Sequence, residues 1–233
     1  MPRAPALRPS TARWKPWATA ALVYLVFLCW HEPWFVRPLT QAEVQAAFDG
    51  PLAKAHLHPG ERELLQTFFS TDDGRAFYNI NLMQYRVQAQ YPDGQARAGI
   101  VSGRDANTAY SNVVVPLLLE RAGYPVFGSV KTSNLMMSAD AGADFFEELA
   151  VVRYRSRRDM LEMILDPRFM AGAPHKFASL EKNVASPSTP FLVFDARALV
   201  AVVLFVLTLL WTVRFGATAS LSRWRAGDAT ARE

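Results

Sequence analysis

Two apolar runs bracket the chain, residues 17–30 (WATAALVYLVFLCW) and 198–213 (ALVAVVLFVLTLLWTV). A helix that crosses a bilayer needs about 20 mostly apolar residues. The second run lies between Arg197 and Arg214, whose long side chains can snorkel to the interfaces and extend the span. The first run is shorter. It follows Arg3, Arg8, Arg13 and Lys15, the basic start of a signal sequence or signal anchor, and no small-x-small cleavage site follows. Trp14, Trp17, Trp30 and Trp34 suit interfacial belts. The expectation is two membrane helices, residues 17–36 and 197–214, with an uncleaved first segment.

Charge sets the expected orientation. Residues 1–30 carry four Lys/Arg and no Asp/Glu, and residues 197–233 carry five against two, so both ends are basic. Residues 31–196 carry 16 Lys/Arg and 19 Asp/Glu. Basic segments beside apolar runs stay in the cytoplasm. Tails 1–16 and 215–233 are therefore expected inside, with the middle exported to the periplasm of a bacterial inner membrane. The basic charge belongs to these tails and is no sign of nucleic-acid binding. Cys29 is the only cysteine and lies in the first run, so the middle domain folds without disulfides.

Within the middle, residues 37–76 read as a helical lead-in. Thr40 and Glu43 form a capping-box pattern, and Leu64, Leu65, Phe68 and Phe69 share one helical face. Asp72-Asp73-Gly74 reads as a hydrated turn. Residues 77–86 alternate at period two, which argues a strand. The covered face is expected to be Tyr78, Ile80 and Leu82. That leaves Asn79, Asn81, Met83 and Tyr85 on an open face, too apolar to stay bare. Ser102 and Asp105 cap a helix that runs to Arg121, with Gly123 as its C-cap. Residues 124–132 and 147–155 are β-rich. Ser156 to Asp159 opens a second helix that Asp166-Pro167 ends. Residues around 175–180 read as a final strand or a helical turn, and residues 185–196 as a linker. The order from residue 77 is that of an α+β, ferredoxin-like split βαβ domain over residues 77–184. An open sheet face of this kind implies a homodimer.

Five blocks carry a family resemblance: residues 79–86 (NINLMQYR), 103–106 with Tyr110, 123–127 (GYPVF), 148–156 (ELAVVRYRS) and 163–169 (MILDPRF). Together they resemble domains of unknown function in the dimeric α+β barrel superfamily. The resemblance spans about residues 72–184 and implies a ferredoxin-like dimer. It also implies a choice of chemistries, since the superfamily holds cofactor-free monooxygenases, small isomerases, haem-dependent enzymes and members without known activity. The flanking membrane helices depart from the usual small soluble members.

Candidate site residues follow from these readings. Asn79 and Asn81 can bond a ligand carbonyl or hydroxyl, and Tyr85 can donate a phenolic proton; the bland alternative is that they satisfy backbone or dimer contacts. Arg153, with Arg155, Arg157 and Arg158, can clamp an anion, although strand and helix geometry keep the four from facing one site. His175 can act as a general base or as an axial haem ligand. His56 and His58 are two imidazoles without a third ligand, so no metal site is expected. No cofactor is expected, with haem the alternative. The expected partners are the bilayer, a second copy and a membrane protein, with no nucleic acid. Phosphate-loop, nucleophile-elbow, CxxC and HExxH motifs are absent, which argues against nucleotide hydrolysis, serine-type hydrolysis, thiol redox work and zincin chemistry. The leading expectation is a binding or assembly role for the exported domain. The alternative is a membrane-tethered monooxygenase- or isomerase-like enzyme acting on a small lipophilic substrate, with Asn81, Tyr85, Arg153 and His175 as its working residues.

Overall fold

The computed structural model describes residues 14–55, 57, 59–135 and 145–230. Two compact units emerge, one formed by residues 1–29 and 193–233, the other by residues 30–192. His56 and His58 lie outside the described residues.

The first unit pairs two helices, α1 (Lys15–His31) through Cys29 and α7 (Ala196–Thr230). Trp17 meets Phe205 with ring centres 5.6 Å apart, and the Tyr24 hydroxyl donates to the Arg197 carbonyl at 3.4 Å. Progress along α1 thus runs backwards along α7, an antiparallel pair. Among the described residues one helix, Ala196–Arg214, is long and apolar enough to cross a membrane. The helix over the first run has 17 residues, short of the usual span. Asp195 accepts from the Arg197 backbone and guanidinium at the start of α7, holding that charge pair beside the apolar stretch.

The second unit is α+β. Its lead-in comprises α2 (Gln41–Asp49), a 3₁₀ turn (Pro51–Lys54) and α3 (Pro59–Ser70). Then come β1 (Phe77–Tyr85), α4 (Gly103–Glu120), β2 (Tyr124–Val130), β3 (Glu148–Tyr154), α5 (Arg157–Ile164), α6 (Pro167–Ser179) and β4 (Leu180–Ser188). The sheet order is β2-β3-β1-β4, and every pairing is antiparallel. Local chemistry explains the helix starts. Thr40 with Glu43, and Ser102 with Asp105, form capping boxes, and the Ser156 hydroxyl accepts from the Asp159 amide. Asp166 ends α5 and also caps α6, with Pro167 at the first helical position, where its missing N–H costs nothing.

Which face of the sheet is covered differs from the sequence expectation. Phe77, Asn79, Met83 and Tyr85 are all buried, and Phe77 packs with Val114, Leu117 and Leu118 of α4, Met163 of α5 and Tyr154 of β3. Helices therefore cover the odd-numbered face, and Ile80 and Leu82 face away from them. Tyr78, on the other face, is buried as well, but it is Phe77 and Met83, with Tyr154 opposite Phe77, whose large apolar side chains face the helices, each worth about 1.5–3 kcal/mol on burial. Residues read as linker form the end of β4. Pro187 is tolerated there because β4 is an edge strand. At the end of α4 it is Ala122, not Gly123, that takes the left-handed conformation, with φ of 55°. The lead-in core of Val44, Phe48, Leu52 and Phe69 packs on Leu161 of α5 rather than on the sheet.

Candidate functional site

Asn79 and Asn81 sit inward on β1, beneath the helices. The Asn79 amide donates to Asn81 Oδ1 at 3.2 Å, and Asn81 Nδ2 reaches the carbonyls of Asn79 at 3.3 Å and Ala150 at 3.4 Å. The two amides satisfy one another and the β1–β3 backbone, as buried amides must. Tyr85 closes the row. Its hydroxyl accepts from Asn107 of α4 at 3.1 Å, and the Arg104 guanidinium lies over its ring at 4.5 Å. Arg104 in turn pairs with Glu147 and Glu148. Burial, and then the Glu148 charge, push the Tyr85 phenol well above its ordinary range, so it stays protonated and is a donor rather than a base.

Arg153 does not join this row. It lies opposite Tyr78 in register, and so on the other face of the sheet. The four arginines of the 153–158 run do not form a clamp. Arg153 donates to the carbonyls of Ala122 at 2.9 Å and His31 at 3.0 Å. Arg155 pairs with Asp159, and Arg157 donates to the carbonyls of Phe68 and Thr71. Arg158 holds Glu43 and the carbonyls of Arg37 and Pro38. Arg157 and Arg158 tie the strand–helix corner to the lead-in, whereas Arg153 ties β3 to the carbonyls of Ala122 and His31. Asp72 and Asp73 form the expected turn, accepting from the Gly74 and Arg75 amides.

His175 also stands apart from Asn81 and Tyr85. Its Nδ1 meets the Tyr91 hydroxyl at 2.6 Å, and Arg97 stacks on the Tyr91 ring at 4.7 Å while pairing with Asp93. Beside this polar collar lies a cleft of about 490 Å³. One wall comes from Leu52, Leu65 and Phe69 of the lead-in, the other from Ile164, Phe169 and Phe177 of α5 and α6; Asp93 and Arg97 are its charged lining residues. His175 is not among the lining residues, and the described lining residues include neither histidine nor cysteine. These residues do not make a haem site. No local pattern in the sequence marks this cleft, because its walls come from segments about a hundred residues apart. Nor does one mark Lys176. Its ammonium lies 5.2 Å from the centre of the Tyr110 ring, and burial lowers its pKa to about 8. No carboxylate pairs with it among the described residues.

These features define a class: an α+β protein whose four-stranded antiparallel sheet carries helices on one face. Comparison with known proteins agrees at the level of fold. No family model matches the chain, and no curated protein matches it significantly. The crystal structure of methylated RPA0582 protein aligns with a TM-score of 0.51 at 24% identity, over 60% of this chain and 98% of that chain. A second structure, of the RPA0582 protein of unknown function from Rhodopseudomonas palustris, gives 0.50 at 23%, over 59% and 98%. A hydroxynitrile lyase from Passiflora edulis aligns at 18% identity over 52% of this chain and 98% of its own, with a TM-score of 0.32, too low to bear on fold or chemistry.

Proposed function

We propose that this chain is a bilayer-anchored protein whose middle domain is a ferredoxin-like unit of the dimeric α+β barrel type, pairing with a second copy and serving binding or assembly. One observation carries the reading. The sheet face turned away from the helices carries an apolar strip: Ile80 and Leu82 of β1 lie beside Leu149 and Val151 of β3, flanked by Phe127 of β2 and Val184 of β4. Phe127 is 56% exposed and Val184 43%. A contiguous apolar face on a sheet is costly in water, and a second identical face removes that cost by two-fold symmetry. The strand order β2-β3-β1-β4 supports the ferredoxin-like assignment.

An enzyme of the superfamily is the weaker reading. It needs Asn81, Tyr85, Arg153 and His175 around one pocket, whereas Arg153 lies on the opposite face from Asn81 and Tyr85 and His175 is engaged with Tyr91. The chain is anchored in an inner membrane through Ala196–Arg214, with the first run as a second anchor, both termini cytoplasmic and the middle exported. The basic ends support that orientation.

Native mass spectrometry of the detergent-purified full-length protein tests the assembly. A dimer is expected, and Leu82→Glu converts it to a monomer. A wild-type monomer overturns the reading. Protease protection in spheroplasts tests the topology: the middle domain is expected to be cut from outside, with both ends protected.

A further inference from the structure

The cleft beside the Tyr91–His175 pair is built like a ligand site rather than a packing fault. At about 490 Å³ it falls within the roughly 300–1,000 Å³ typical of small-molecule sites. Its two walls are aliphatic and aromatic throughout, and its charged lining residues sit together. Arg97 pairs with Asp93, donates to the Gln95 carbonyl at 3.0 Å and stacks on Tyr91. The site thus has an apolar body and a polar collar.

We propose that this cleft holds the acyl chain of a single-chain amphiphile, with the polar head at the Asp93–Arg97 collar. The inference rests on the bilayer-anchored binding reading and names the ligand class for it. Size selects the occupant. The cleft is a single channel of about 490 Å³ between two apolar walls, within the range of small-molecule sites, and that shape suits one acyl chain. Polarity selects it too. A peptide segment brings backbone N–H and C=O groups that these walls cannot satisfy, whereas an alkyl chain brings none. The collar offers both a carboxylate and a guanidinium, which suits a fatty-acid carboxylate or a lysophospholipid head.

The test uses full-length protein in phosphatidylethanolamine/phosphatidylglycerol nanodiscs. Two probes are added in separate arms, a diazirine-bearing palmitate and a diazirine-bearing palmitoyl lysophosphatidylethanolamine. After irradiation, labelled peptides are located by mass spectrometry. The expected result is labelling within residues 52–69 and 164–177, competed away by unlabelled probe. The arm that labels identifies free acid or lysolipid. Ala173→Trp fills the cleft from the α6 wall and should lose most of the label. Ala55→Trp fills it from the opposite wall, and competition in the wild-type protein stands whether or not either variant folds. Label confined to α7 or to the open sheet face around residues 80–84 overturns the proposal, as does cleft label that excess unlabelled probe does not reduce. Native mass spectrometry of the same preparation keeps the two readings apart. A dimer with an unlabelled cleft overturns this inference alone, and a monomer with a labelled cleft overturns the assembly reading alone.

Discussion

The Arg153 guanidinium donates to the main-chain carbonyl of His31 at 3.0 Å, joining β3 to the point where the chain enters the middle domain. Arg153 is only 2% exposed, and its other arm holds the Ala122 carbonyl at the α4–β2 corner. The buried fork satisfies two carbonyls at positions where neither strand nor helix supplies a partner. The His31 ring adds a second tie, with Nε2 2.8 Å from the Tyr124 hydroxyl.

Arg153→Met is therefore expected to destabilise the protein by about 3 kcal/mol, since two charge-assisted hydrogen bonds are lost and two buried carbonyls are orphaned. Arg153→Lys keeps the charge but not the fork and should recover less than half of that loss. Urea unfolding of the detergent-solubilised protein measures both. A loss below about 0.5 kcal/mol for the methionine variant, the range of an ordinary surface change, contradicts the structural role.

Gly103 is held by backbone on three sides. A Cβ there would lie 2.4 Å from the Ser179 carbonyl oxygen, 2.6 Å from that of Arg86 and 2.8 Å from the Arg86 nitrogen. The same three residues are linked by Gly103 N–H to Arg86 O at 3.0 Å and Arg86 N–H to Ser179 O at 2.9 Å. This knot fixes the start of α4 against the ends of β1 and α6. Gly103→Ala is expected to cost about 3 kcal/mol, at the upper end of overpacking effects. Gly60→Ala, in α3 with no atom within 4 Å of its Cβ, should instead stabilise by about 0.5 kcal/mol. The difference in thermal midpoint between the two variants decides it.

Helix starts were legible because capping is a contract among four consecutive residues, and Thr40, Ser102 and Ser156 all honour it. The order β1, α4, β2, β3, α5 was legible for the same local reason; α6 (Pro167–Ser179), where only a strand or a helical turn around 175–180 was expected, was not. The face of β1 was not. Alternation states that Asn79 and Asn81 share a face with Phe77 and Met83, but not whether polarity or aromatic bulk decides burial. Bulk won, because the amides could bond each other and the Ala150 carbonyl at no net loss. Arg153 is separated from Asn81 and Tyr85 by the β1–β3 register, which sets it opposite Tyr78 and which no local pattern states. His175 was picked out by type alone, and its partner Tyr91 lies 84 positions away. The cleft and Lys176 depend wholly on tertiary packing, for which spacing along the chain carries no signal.

Glu43 links the lead-in to α5. It accepts from Thr40 within the capping box and from Arg158 at 2.8 Å, and the Arg158 and Thr40 hydrogen bonds hold its carboxyl well below the usual range. Its depressed pKa contributes stability above the unfolded value near 4.5, and that contribution fades as pH falls through the folded value. Glu43→Gln is expected to cost about 1 kcal/mol at pH 7, the scale of a lost cap interaction, and to flatten the fall in stability below about pH 5. Unfolding midpoints compared between pH 7 and pH 3 provide the check. Parallel curves for variant and wild type would assign the acid limb to other carboxylates.

Lys176 runs the opposite way in pH. Burial lowers its ammonium from 10.5 to about 8. Between those values the unfolded chain binds more proton than the folded one, so stability rises with pH across the window. Below about pH 8 both states are charged, and the folded state carries the full desolvation cost. Lys176→Met removes the charge but keeps a flexible apolar stem against the Tyr110 ring. It is expected to raise stability at pH 7 and to abolish the rise between pH 8 and 10.5. A full shift of this size corresponds to about 3 kcal/mol; the side chain is not fully buried, so solvent screening reduces the gain to about 1–2 kcal/mol. Chemical unfolding of both proteins in steps from pH 7 to 10.5 gives the difference curve directly. A curve that falls toward zero as pH rises identifies Lys176 as the titrating group. A flat curve means the ammonium is solvated in the folded protein, and the site beneath α4 and α6 then holds no tuned amine.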